Sequence, residues 1–167
     1  METKLETLRF HLRELTIQDA SVKYLSWFSE QTTSEYITYK NEDLKSLQNY
    51  IFEKDQDPNC WFYGIFTKKN QEHIGNLKYE RHPNHEHVAT LGILIGDESF
   101  QGKGVASEVI HASTDFLKKN TNIKRINLGV AKDNIAAIKA YEKIGFEHTD
   151  NGYFDFPETS IEMILIL

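Results

Sequence analysis

Several things are scarce in this sequence. It has one cysteine, Cys60, so it can form neither an internal disulfide nor a cysteine-based zinc site. No apolar run approaches the length needed to cross a bilayer, so no membrane partner is expected. The start, METKLETLRF, has no hydrophobic signal region. These absences predict a cytoplasmic protein. Basic residues are outnumbered, 19 Lys and Arg against 25 Asp and Glu, for a net charge of −6. A nucleic-acid binder would carry a basic patch or stripe, so no nucleic-acid partner is expected. A local cleft can still differ in sign from the whole chain. Internal repeats, low-complexity segments and linkers are absent too.

What is present is one domain's worth of core. The 167 residues are 40% hydrophobic and 12% aromatic. That suffices for a single domain over residues 1–167.

The stretch over 91–118, LGILIGDESFQGKGVASEVIHASTDFLK, organises the rest. Its apolar start, 91–95, suits a buried strand. Gly96, Asp97, Glu98 and Ser99 mark a turn. Then Gln101-Gly102-Lys103-Gly104-Val105-Ala106 opens a helix with Val105, Val109, Ala112, Phe116 and Leu117 on one face. The first N–H groups of a helix lack partners within it and carry partial positive charge. Bare glycines let an anion approach those groups, and Lys103 adds a formal charge. A phosphate or pyrophosphate is the natural guest. The plain alternative is a tight turn whose glycines serve only backbone geometry.

Two common phosphate loops do not fit. A P-loop requires G-x-x-x-x-G-K-[ST], and Gly104 follows Lys103 where a hydroxyl residue belongs. The dinucleotide fingerprint G-x-G-x-x-G has Ser107 where its third glycine belongs. A third pattern does fit. Gln101, Gly104 and Ala106 match [QR]-x-x-G-x-[GA], and downstream come Asn134, Ala137, Tyr141, Gly145 and Phe146 as N-x-x-A-x-x-x-Y-x-x-x-G-F. In that order and spacing they resemble the acyl-CoA-binding segments of the GNAT superfamily of N-acetyltransferases. The likeness is strong in the C-terminal half and weak in the N-terminal half.

Leu8, Phe10 and Leu12 alternate with polar residues, as in a strand with one buried face. Thr16 and Asp19 can cap a helix carrying Val22, Leu25 and Phe28 inward, with Tyr24 and Trp27 beside them. The polar and aromatic run EQTTSEYITYK has no clear period. Asn41 or Asp43 can cap a second helix carrying Leu44, Leu47, Tyr50 and Ile51, with Phe52 beside them. Strands are expected over 61–67, 73–81 and 87–95, adjacent and antiparallel. The strand over 123–130 then pairs parallel to 87–95 through the helix between them. A helix over 134–144 stops at Gly145, and 146–153 and 161–167 read as final strands. The result is an α/β (α+β) domain. Its sheet is mixed and mostly antiparallel, with a central parallel strand–helix–strand unit and helices on both faces.

The resemblance implies an acetyl-CoA-dependent N-acetyltransferase. Acetyl-CoA would place its pyrophosphate on the turn formed by Gln101, Gly102, Lys103, Gly104, Val105 and Ala106. Its pantetheine arm would pair with Leu94, Ile95 and Gly96, one N–H facing the thioester oxygen. Asn134 would bond the arm, and Tyr141 would be the acid toward the leaving thiolate. The run EQTTSEYITYK would line the acceptor cleft. The base is not evident. Several N-terminal-amine acetyltransferases of this superfamily have glutamate within Ala-Glu-Leu/Ile-Gly, where this chain has Ala89-Thr90-Leu91-Gly92. Thr90 is no base at neutral pH, leaving Glu80, His82, Glu86 and His87 to act through water. His82, His85 and His87 read as a solvated hairpin tip, and no metal is expected.

The acceptor is a small-molecule or peptide amine. The phrases Tyr24-Leu-Ser-Trp27-Phe and HIGNLKYE resemble bacterial acetyltransferases of nucleotide-linked amino sugars, the favoured class. The chain also resembles ribosomal-protein N-terminal acetyltransferases, and it shares QGKG and YEKIGF with spermidine acetyltransferases. A non-catalytic acyl-CoA-binding module is the other alternative, and a homodimer is left open.

Overall fold

The computed structural model of the chain describes residues 4–29, 43–150 and 152–167. Strands β1 (Lys4–Glu6) and β2 (Phe10–Glu14) form a hairpin, followed by helices α1 (Val22–Ser26) and α2 (Leu44–Gln56). Next come β3 (Cys60–Thr67), β4 (His73–His82), β5 (His85–Ile95) and helix α3 (Val105–Asn120). The chain closes with β6 (Arg125–Ala131), α4 (Ile135–Ile144), β7 (Glu147–His148) and β8 (Ser160–Ile166). These strands make one sheet in the order β1-β2-β3-β4-β5-β6-β8-β7. As expected, β3, β4 and β5 are antiparallel neighbours, and β5 runs parallel to β6.

Each face of the sheet is covered, so β5 reads apolar on both sides. Ala89 and Leu91 pack with Val105, Val109, Ile110 and Leu117 of α3 and Ile144 of α4. On the other face, Leu94 packs against a cluster that includes Tyr24, Trp27, Phe28, Leu47 and Ile51. Asp43 caps α2, its carboxylate accepting from Ser46 N at 2.7 Å. Asn41 and the run over 30–40 lie outside the described residues.

Several local expectations shift. Leu8 is 87% exposed, because Thr7 and Phe10 close a turn just before β2. The Thr16–Asp19 cap forms only a 3-10 turn, and Ser21 then starts α1 afresh. That restart turns Tyr24, Trp27 and Phe28 inward and leaves Val22 exposed. Along α3 the buried stripe includes Ser113 and Thr114, while Ala112 and Phe116 lie at its margin. Both hydroxyls are satisfied by carbonyls one turn back, and Ser113 also meets Tyr79 Oη at 2.8 Å. Among the described residues of the segment 146–153, only Glu147 and His148 pair as a strand.

His73 is packed among the rings of Tyr24, Trp27 and Phe66, and its Nε2 has no hydrogen-bond partner among the described residues. Burial pushes its pKa down from 6.5 to about 4. Unfolded, this imidazole binds a proton below its ordinary value; folded, it refuses one until about 4. Stability therefore falls as pH drops through that window. The loss is about 3 kcal/mol over roughly 2.5 pH units. Urea titrations at several pH values check this. His73→Phe should flatten the slope, and an unchanged slope would refute the assignment.

Candidate active site

Strands β5 and β6 begin side by side and then part. Val88, Ala89 and Thr90 pair with Arg125, Ile126 and Asn127, and no later pair forms among the described residues. The gap opens into a cleft of about 630 Å³. Thr90, Gly92 and Leu94 line it from β5, and Asn134, Ala137 and Tyr141 from the far lip. Phe156 lies across β6 at the mouth. A Cβ on Gly129 would sit 2.4 Å from its ring, so only glycine allows this approach.

The direction of the β5 backbone follows from two bonds. Gly96 N–H donates to Ile74 O of β4 at 3.0 Å, and Lys124 N–H donates to His87 O at 2.8 Å on the β6 side. Bonding direction alternates along a strand. The N–H and C=O groups of Leu91, Ile93 and Ile95 therefore face the open gap. Those of Leu94 and Gly96 face β4. Of the expected trio, only Ile95 turns its backbone outward, and its carbonyl accepts from Gln101 Nε2 at 2.9 Å. Leu94 lends the cleft its side chain instead.

The glycine-rich turn sits beyond the end of β5. Gly102 and Gly104 have φ of 68° and 72°, a region glycine occupies without strain. Gly104 is the residue before α3 and offers no side-chain cap, so among the described residues no cap covers the first N–H groups of the helix. A Cβ on Gly102 would meet nothing within 4 Å among the described residues. Val105 is buried in the core and Ala106 packs against it, so these two can offer a ligand only their backbone. Arg9 braces the turn, its Nη2 donating to Lys103 O at 3.0 Å. Glu108 holds Arg9 in turn, accepting from its Nε and its backbone N, each at 2.7 Å, and from Thr7 Oγ1 at 2.6 Å. Burial works against the Glu108 charge, but Thr7 and Arg9 outweigh it and hold the carboxyl below its usual range.

Asn134 caps α4, its Oδ1 accepting from Ala137 N at 3.2 Å, which leaves its amide NH₂ for a ligand. Tyr141, two turns on, lines the same cleft, and burial pushes its pKa up to about 12.

With this geometry in view, the match to known families is decisive. The Acetyltransferase (GNAT) domain model covers residues 9–147. The chain belongs to the GNAT family. It is similar to the L-amino acid N-acetyltransferase AaaT of Escherichia coli (strain K12), 36% identical over 81 residues, 47% of this chain and 49% of that protein. It is also similar to the spermine/spermidine N(1)-acetyltransferase of Bacillus subtilis (strain 168), 38% identical over 60 residues, 36% of this chain and 38% of that protein. The chain thus matches about half the length of the first and less of the second. Among solved structures, the ribosomal L7/L12 alpha-N-protein acetyltransferase RimL in complex with coenzyme A superposes with a TM-score of 0.83 at 17% identity. That superposition covers 99% of this chain and 98% of the other, and it shows a shared fold.

The base candidates separate in this GNAT cleft. Of Glu80, His82, Glu86 and His87, only Glu80 lines it. His82 meets Tyr153 O at 2.8 Å and His87 meets Asn122 O at 2.9 Å, both near the β4–β5 hairpin tip. Glu80 faces Thr90 across the β4–β5 ladder and binds the ammonium groups of Lys54 and Lys78. Burial would raise its carboxyl, but the two lysines hold it below the usual range. It is ionised and a weak proton acceptor. Burial pushes the Cys60 thiol up to about 12, which disfavours the thiolate a nucleophile needs.

Lys78 and Arg9 escape sequence reasoning. The signal for Lys78 was present, because Asn76, Lys78 and Glu80 put polar groups on every second position of a strand whose other face is core. No sequence pattern links Arg9 to a turn in another part of the chain.

Proposed function

We propose that this GNAT domain transfers an acetyl group from acetyl-CoA directly to a primary amine, without a metal. The acceptor class the sequence favours is a nucleotide-linked amino sugar. The observation that carries the reading is the parted β5–β6 pair, with outward backbone groups on one lip, Tyr141 on the other and the bare amides of the Gly104 turn beyond. The diphosphate binds on Gln101 to Ala106, with Lys103 adding charge and Arg9 fixing the loop. The pantetheine arm lies along Leu91, Ile93 and Ile95 and meets the Asn134 amide. A neutral amine attacks the thioester carbon, and the N–H of Leu91 or Ile93 stabilises the oxyanion. The amine proton leaves through solvent. As the C–S bond breaks, Tyr141 donates a hydrogen bond to the sulfur. A pKa of about 12 keeps the phenol protonated at neutral pH. Full transfer to a thiolate near 8.5 is uphill by about 3.5 pH units, so the hydrogen bond, and not complete donation, is the tyrosine's contribution.

Release of free coenzyme A, followed with a thiol reagent across a panel of amines, tests this. Amine-dependent release is expected. Tight acetyl-CoA binding with no release on any amine would make the protein an acyl-CoA-binding module instead.

A further inference from the structure

The α2 side of the cleft carries polar groups that the acetyl-CoA half of the reaction leaves unused. Lys78 Nζ donates to Tyr50 Oη at 2.9 Å and to Glu80 at 2.8 Å. An ammonium has three N–H bonds, and the third of Lys78 has no partner among the described residues. Lys54 binds the same Glu80 carboxylate. Among the described residues, two ammonium groups therefore share one carboxylate, a local positive excess in a chain of net charge −6. Beside it, Tyr24 Oη and Asn76 Oδ1 are buried without hydrogen-bond partners among the described residues, and both residues line the cleft. Orphaned buried polar atoms are rare and call for a partner. Position adds to this. Lys78 lies opposite Gly92 and Asn76 opposite Leu94. Both thus flank the stretch of β5 whose odd-numbered neighbours face the thioester.

We propose that the acceptor is a primary amine that also bears a carboxylate or phosphate, and that Lys78 binds that anion while Tyr24 and Asn76 hold adjacent polar groups. The proposal rests on the transfer reading above and narrows its substrate. A polyamine is disfavoured, since it would bring further positive charge against Lys54 and Lys78, which among the described residues share the single carboxylate of Glu80. Lys78 is a specificity residue in this scheme, since it meets the acceptor away from the reacting atoms.

The test compares amines that differ only in the anion: glucosamine 6-phosphate with glucosamine, and L-methionine with L-methioninamide, with spermidine as a cationic reference. In the native protein, kcat/KM for the anionic member of at least one pair should exceed its neutral twin by about 30-fold. The pair that responds identifies phosphate or carboxylate as the group. Lys78→Met should bring that ratio to within about three-fold, and Lys78→Arg should keep most of it. Lys54 still pairs Glu80 in the Met variant, and a thermal melt checks its fold. Equal rates within both pairs, or a preference for spermidine, would overturn the proposal while leaving acetyl transfer standing. So would a Met variant that lowers both members of a pair alike. Acetyl-CoA binding without coenzyme A release on these five amines or on a nucleotide-linked amino sugar would overturn both.

Discussion

Tyr141→Phe should lower kcat about 100-fold and change the KM for acetyl-CoA by less than about three-fold. The ring keeps its packing against Phe146, whose centroid lies 5.8 Å away, so the fold survives the loss of the hydroxyl. In the proposed reaction, what disappears is one donor toward a sulfur that gains charge only as the C–S bond breaks. An interaction made in the transition state and absent from the ground state moves kcat and spares binding. About 100-fold corresponds to roughly 2.7 kcal/mol, in the range of a single well-placed donor in a dry site. Steady-state kinetics on the best amine decides it. An unchanged kcat would remove the tyrosine from the chemistry.

Gly104 provides the second large effect, on binding. At φ 72° a valine is strained by about 1–3 kcal/mol, and Gly104→Val should lose that much stability. Its side chain would find room, since among the described residues a Cβ there meets only Arg9 Nη2, at 3.9 Å. That room is where the diphosphate would lie. Coenzyme A affinity should therefore fall by about 100-fold or more. Gly104→Asn separates the two causes, because asparagine tolerates the left-handed region but is bulky. It should fold nearly as the native chain does and still bind coenzyme A weakly. Calorimetric titration of both variants gives the answer, and native affinity in the asparagine variant would exclude the turn from the site.

Much of the fold was legible because its signals are local. The alternation in 61–67 and 73–81, the turn residues between them and the helical stripe after Gly104 each reflect nearest-neighbour geometry. Short pieces at the margins were not legible. Thr7 and Ser21 each start or stop an element through one side-chain bond, and that moved Leu8 and Val22 from expected core to solvent. The site divides the same way. The Gln101–Ala106 turn, Asn134 and Tyr141 form recognisable runs in the chain. The outward backbone of Leu91 and Ile93 depends on which neighbour Gly96 and His87 bond, which only the assembled sheet decides. The contacts of Arg9 with Lys103 and Glu108, and of Lys78 with Tyr50, join residues far apart in the chain, and no spacing encodes them.

In the proposed reaction the parted strands and the amides beyond them hold acetyl-CoA. A crystal structure of the protein with coenzyme A tests it most directly. The diphosphate should rest on the backbone N–H groups of residues 102–106, the pantetheine amides should pair with Leu91, Ile93 or Ile95, and the sulfur should lie within hydrogen-bond reach of Tyr141 Oη. A ligand bound elsewhere, or a sulfur far from that hydroxyl, would contradict the account.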